Sequence, residues 1–124
     1  FKTVLQDNSS GLFNGRTIVR EGAQKTDSSQ SNKNLLLSTN AIMNSNPQLE
    51  IYADDVKCSH GSTTGALDTD ALFYLRSRGL NPLAAKSLLI RGFVTELLES
   101  VKNENIQKYI TGKFSDWISK NTIS

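Results

Sequence analysis

The spacing of the apolar residues changes near residue 67, and this change constrains the fold more than any other feature of the sequence. Before that point, apolar residues stand in short runs or alternate with polar ones, which is typical of β-strands. After it, they recur every three or four residues, which is typical of amphipathic helices. A strand region at residues 1–67 followed by a helical region at residues 68–124 indicates an α+β pattern.

The strand region contains short segments separated by polar stretches. Strands are predicted at residues 2–6, 12–20 and 35–37. Gly15 interrupts the second strand, which indicates a bend or a close approach of the backbone. The eleven polar residues 24–34 favour a loop, with stacked polar side chains of a β-solenoid as the alternative. A turn is predicted at residues 44–47.

Three helices are predicted in the second region. The first begins after Asp68, a good N-cap residue, and ends at Gly79, which suits the left-handed position after a helix. The second has Pro82 in its first turn and an apolar stripe that extends to Val101. The third covers residues 105–119, where most apolar side chains lie on one side.

The chain has one cysteine and one histidine, Cys58 and His60, and they lie two residues apart. On a strand they would share a face, with Cα atoms roughly 6.5–7 Å apart. Thiolate and imidazole both bind iron and zinc, but a structural site normally needs four protein ligands. A second chain would have to supply the others. The alternatives are a small buried hydrophobe for Cys58 and a hydrogen-bonded strand residue for His60.

Charge and composition argue against several classes of protein. Basic and acidic residues number 14 and 12 and are balanced in both regions, so no nucleic-acid partner is expected. No apolar run approaches the roughly 18 residues that span a membrane. A single cysteine cannot form an internal disulfide, which fits a reducing compartment. Asp54 and Asp55 would point to opposite faces of a strand, which argues against a catalytic carboxylate pair.

A long segment at residues 50–63, Glu-Ile-Tyr-Ala-Asp-Asp-Val-Lys-Cys-Ser-His-Gly-Ser-Thr, is accompanied by shorter distinctive segments. These lie at residues 13–15, 24–27, 34–38, 72–75 and 77–79. Together, over about residues 8–101, they resemble the C-terminal part of SufD-type subunits of the SufB/SufD family, which belong to the Suf iron–sulfur cluster assembly scaffold. SufB-type subunits are less similar, because they carry a different, acidic run in place of Cys58-Ser59-His60-Gly61.

The resemblance implies a more specific fold than the apolar pattern does. Residues 1–67 would be the terminal rungs of a right-handed parallel β-helix, or β-solenoid, and would form a subunit junction. Residues 68–124 would be a small α-helical domain, so that the protein is mainly β with C-terminal helices. The start at Phe1 rather than Met indicates a fragment of a longer chain.

The resemblance also implies a function. The chain is expected to be a non-catalytic scaffold subunit of a SufB–SufC–SufD complex in the cytoplasm, with a plastid source as the alternative. His60 is expected at the junction with a SufB-like subunit, with Cys58 in the same motif. A SufC-like ATPase is expected on the C-terminal helices. Unpaired strand edges also predict a homodimer.

No firmly bound cofactor is expected. Transient iron or an iron–sulfur cluster is expected at the junction, with His60 as a metal ligand and the remaining ligands from a partner chain. The alternative hypothesis is a β-solenoid carbohydrate-active or acyl-transfer enzyme with His60 as general base. Such an enzyme would need further acid, base or metal-binding residues on the same face.

Overall fold

The computed structural model describes residues 1–121. The chain divides into two compact units, a strand unit at Phe1–Ala66 and a helical unit at Leu67–Ser124. Parallel strands and three helices make up the described residues. The expected succession of strands and then helices is therefore confirmed.

The strand unit contains β1 (Lys2–Leu5), β2 (Ser10–Val19), β3 (Asp27–Leu36), β4 (Ile42–Ile51) and β5 (Lys57–Ala66). Odd-numbered strands form a three-stranded sheet in the order β1-β3-β5, and β2 and β4 form a two-stranded sheet. All pairs are parallel. Because consecutive strands alternate between the sheets, each pair of consecutive strands adds one strand to each sheet. Paired residues are 30 to 32 positions apart, as in Asp27 with Lys57 and Ser10 with Ile42.

Two local predictions in the strand unit are wrong. Most of the polar run at residues 24–34 lies in β3 rather than in a loop, and residues 44–47 lie in the middle of β4 rather than in a turn. In both cases the polar residues pair in register with a strand one turn away. The stacked arrangement, which was the alternative for residues 24–34, is the one observed.

Pro47 fits inside β4 because of the direction in which its nitrogen points. The backbone N–H of Ile42 donates to the carbonyl of Ser9, just before β2, at 3.0 Å, and that of Tyr52 donates to the carbonyl of Val19 of β2 at 2.9 Å. Since alternate residues of a parallel strand bond to the same neighbour, the even-numbered residues of β4 face β2. The nitrogen of Pro47 therefore faces the outer edge of β4, and the proline removes no hydrogen bond between β4 and β2.

Gly15 leaves room for two side chains that lie over its backbone, Gln30 of β3 and Phe13 of β2 itself. A Cβ atom at this position would overlap the Gln30 side-chain amide and would lie 2.6 Å from Cζ of Phe13. The predicted bend or close backbone approach at Gly15 is thus seen only as a close approach of side chains to its backbone. The contact also shows that odd-numbered residues of β2 face even-numbered residues of β3 across the space between the two sheets.

Polar contacts to Asp55 hold the corner between β4 and β5 against the corner between β2 and β3. Lys25, at φ 63°, donates its backbone N–H to the Asp55 carbonyl at 2.6 Å, and its ammonium group pairs with the Asp55 carboxylate. The Gln24 side-chain oxygen accepts from the Asp55 N–H at 2.8 Å. Asp55 is therefore a corner residue. Asp54 and Asp55 lie in the bend between β4 and β5, so the prediction that they point to opposite faces of a strand is wrong.

The helical unit contains α1 (Thr69–Ser77), α2 (Pro82–Leu98) and α3 (Glu104–Asn121). Asp68 caps α1 by accepting from the N–H groups of Asp70 and Ala71 at 2.8 and 3.1 Å. Asn81 caps α2 by accepting from the N–H of Ala84 at 2.8 Å. The apolar core of this unit consists of the buried residues Ala85, Ile90, Leu98 and Ile118. Among residues 1–121, no helix is both long and apolar enough to cross a membrane.

Candidate functional site

Cys58 and His60 both lie on β5, with side chains on the same face. Their register partners on β3 are Ser28 and Gln30. Partners in a parallel pair share a face, and Gln30 faces Gly15 of the other sheet. The thiol and the imidazole therefore lie on the face of β5 that looks between the two sheets. Cys58 is half-buried, whereas His60 is exposed.

The backbone of these same residues faces an open strand edge. In the described residues, β5 is the last strand of its sheet. The N–H of Lys57 donates to the Thr26 carbonyl at 2.8 Å, so odd-numbered residues of β5 bond to β3. The N–H and C=O groups of Cys58, His60 and Ser62 consequently point to the open edge. Such an edge can pair with a strand of another chain.

The adjacent edge of β4 is less suited to pairing. Its odd-numbered residues face outward at this end of the strand unit, but Pro47 supplies no N–H there. No proline lies within β5. Since proline protects a strand edge against pairing, β5 is the better docking edge of the two.

A polar network lies beneath this edge, and the sequence did not identify the partners of its residues. Asn32 and Asn34 of β3 are 0% and 4% exposed. The side-chain oxygen of Asn32 accepts from the hydroxyls of Ser45 and Ser62 at 2.7 and 3.3 Å. The Asn34 amide donates to the hydroxyl of Thr64 at 3.2 Å. The signal in the sequence was the 30-residue offset that aligns residues 28–34 with residues 58–64.

An ion pair lies on the outer face of the two-stranded sheet. The Arg16 guanidinium donates to both carboxylate oxygens of Glu50 at 2.7 and 2.8 Å. These hydrogen bonds hold the pKa of Glu50 below its usual value, and the same carboxylate raises the pKa of Arg16. Glu50 is thereby kept ionised and turned away from the face that carries His60. This arrangement gives it no part in acid or base chemistry there.

Within residues 1–121, His60 and Cys58 do not form a metal site together with acidic residues. Across the part of the chain that the structure describes, no group of three or more His, Cys, Asp or Glu residues is arranged to hold a metal ion. Metal binding by His60 stays a prediction. It requires ligands from outside this chain.

The strand unit thus consists of two parallel sheets with an open edge suited to strand pairing. Residues 1–93 match the family model described as SUF system FeS cluster assembly, SufBD core domain. The chain is 44% identical over 112 residues to the iron-sulfur cluster assembly protein SufD of Escherichia coli (strain K12), which covers 90% of this chain and 26% of that protein.

Two further relatives agree. An iron-sulfur cluster assembly SufBD family protein of Synechocystis sp. is 41% identical over 122 residues, covering 98% of this chain and 26% of that protein. Protein ABCI7, chloroplastic, of Arabidopsis thaliana is 38% identical over 104 residues, covering 84% and 22%. The chain belongs to the SufBD core domain family, and the resemblance to SufD is confirmed. It spans about a quarter of the length of these relatives.

Proposed function

We propose that this chain is part of a non-enzymatic scaffold subunit for iron–sulfur cluster assembly, acting in a SufB–SufC–SufD-type complex. The observation that carries the proposal is the open edge of β5, which holds His60 and Cys58 in a chain whose residues 1–93 match the SufBD core domain. The E. coli and Synechocystis relatives are named as iron–sulfur cluster assembly proteins. The compartment proposed is the cytoplasm, or a plastid for a source like that of the Arabidopsis relative.

The strand unit is proposed to be the end of a right-handed parallel β-helix in the longer protein. Support comes from the parallel pairing, from the alternation of consecutive strands between two sheets, and from the spacing of 30 to 32 residues between paired positions. In such a solenoid each turn stacks on the previous one. β5 would be the last strand of the stack.

A SufB-like subunit is the proposed partner at the β5 edge, and a second copy of this protein is the alternative at the same edge. The partner strand would bond to the backbone of Cys58, His60 and Ser62. It would bring its own side chains against the thiol and the imidazole. Iron or a nascent cluster, as the substrate of assembly, would then be bound by His60 together with ligands from the partner.

The helical unit is the proposed dock for a SufC-like ATPase. Helix α3 leaves Ile106, Tyr109 and Ile110 at 51%, 66% and 37% exposure, whereas Ile118 is buried. An exposed apolar group on a helix is typical of a binding face. We define these three residues as the α3 ridge.

The enzyme alternative has less support. A general base at His60 would need a second catalytic group on the same face. Within residues 1–121, Glu50 is bound to Arg16 on the opposite face of its sheet, and Asp55 is bound to Lys25 at a corner. Neither is placed to act with His60.

Partner binding at β5 is tested by replacing Ser62 with proline in the full-length subunit. Ser62→Pro removes one N–H from the open edge and leaves the hydrogen bonds from β5 to β3 intact, as Pro47 does in β4. Ser62→Ala is the matched control, because it loses the same hydroxyl but keeps the N–H. We expect Ser62→Pro to weaken binding of a SufB-like subunit about tenfold or more relative to Ser62→Ala, measured by co-purification and titration. Equal binding by the two variants would place the junction elsewhere.

A further inference from the structure

The space between the sheets contains polar atoms that the protein does not satisfy. Gln30, Asn32 and Asn34 alternate along β3 and face the other sheet. Three of their atoms are buried and have no hydrogen-bond partner among the described residues: the oxygen of Gln30, the nitrogen of Asn32 and the oxygen of Asn34. Native proteins rarely leave such groups unpaired.

The orientation of the two asparagine amides is fixed by their other contacts. The nitrogen of Asn34 donates to the Asn32 side-chain oxygen at 2.7 Å and to the Thr63 carbonyl at 3.2 Å. Rotating the Asn34 amide by 180° would place its oxygen against that carbonyl, and rotating the Asn32 amide would place two NH₂ groups against each other. Exchanging oxygen and nitrogen therefore does not remove the unpaired donor or the unpaired acceptor.

We propose that the unpaired amide groups of Gln30, Asn32 and Asn34, on the face of β3 that looks toward the other sheet, bind ordered water. The unpaired groups include an N–H donor on Asn32 and oxygen acceptors on Asn34 and Gln30, and a water molecule can both donate and accept. The network is built from neutral amides and hydroxyls, including those of Ser45 and Ser62. It holds no charge that would select an ion. Buried water typically makes about three hydrogen bonds to such groups.

The site lies directly beneath the docking edge. Gln30 is the register partner of His60, and Asn32 is the register partner of Ser62. Water bound here would tie β5 to β3 and β4 and would keep the inner face of β5 polar up to the edge. This inference concerns the strand unit alone and stands whether or not β5 binds a SufB-like subunit.

The test is a crystal structure of the full-length subunit at a resolution that shows ordered water. We expect water density within about 2.7–3.2 Å of the Asn32 nitrogen and the Asn34 oxygen. A space without density, or filled by a side chain from another segment, would overturn the proposal.

A pair of variants adds a second test. Asn32→Leu removes the unpaired donor, and Asn46→Leu is the control because Asn46 is exposed on the outer face of β4. Water next to Asn34 should be displaced in Asn32→Leu and retained in Asn46→Leu. Unchanged density in Asn32→Leu would show that Asn32 does not hold the water. If Asn32→Leu does not fold, the wild-type density alone decides.

Discussion

Replacing Gly15 by alanine should destabilise the strand unit through overpacking. The new Cβ would overlap the Gln30 side-chain amide and would lie 2.6 and 2.8 Å from two ring carbons of Phe13. Real Cβ atoms do not approach other heavy atoms this closely, so the ring and the amide must both move. Forcing an extra carbon into a packed interior costs about 1–3 kcal/mol. The lower chain entropy of alanine in the unfolded state offsets about 0.4–1 kcal/mol of this.

The expected net loss of unfolding free energy is about 1–2 kcal/mol. For a unit of this size, each kcal/mol lowers Tm by about 4–8 °C. Gly61→Ala is the matched control, because Gly61 also lies in a strand but has no atom within 4 Å of its Cβ position. That variant should keep or slightly raise the Tm. Thermal unfolding followed by circular dichroism makes the comparison. Equal Tm values for Gly15→Ala and Gly61→Ala would refute the crowding of Gly15 by the Gln30 and Phe13 side chains.

Two further predictions concern charge and docking. The pKa of Glu50 is lowered mainly by its hydrogen bonds from Arg16. The pair should therefore stabilise the fold above the ordinary carboxyl pKa and lose that effect as pH falls through the lowered pKa. An Arg16→Gln variant should show a flatter fall of Tm in this acid range, and an unchanged pH profile of Tm would contradict the prediction. On the α3 ridge, Tyr109→Glu should weaken binding of a SufC-like ATPase, with a stability change below about 0.5 kcal/mol. Thr111→Glu, on another side of α3, should bind normally; equal binding by both variants would remove the ridge from the interface.

The helices could be predicted because their boundary signals are local. The oxygens of Asp68 and Asn81 accept hydrogen bonds from N–H groups two or three residues further on. A capping residue followed by an apolar repeat therefore carries most of the information. The predicted third helix, residues 105–119, falls within the observed Glu104–Asn121.

The strands at residues 27–36 and 42–51 could not be assigned from local signals. The polar side chains of β3 are stabilised by partners about 30 residues away, such as Ser62 and Thr64 on β5. Pro47 normally argues against a strand, and its position is acceptable only because its nitrogen faces the outer edge. Both facts depend on which strands become neighbours.

The candidate site was predictable in part. The spacing of Cys58 and His60 predicted that they share a face, and the structure places them so on β5. Stacking of the polar residues 24–34 was only the alternative to a loop, because each residue alone is typical of a loop, and their partners such as Ser62 were not identified. The open edge of β5 depends on the order of strands in the sheet, which the apolar pattern does not define.

The proposed role of His60 at the junction is tested most directly by the rate of cluster assembly in a full SufB–SufC–SufD-type complex. His60→Ala removes an imidazole that can bind iron or transfer a proton, so assembly should fail while the complex still forms. Cys58→Ala should retain most of the rate, because alanine nearly matches a small, half-buried thiol in size. Wild-type assembly by His60→Ala together with failure of Cys58→Ala would contradict this role and would make Cys58 the primary ligand.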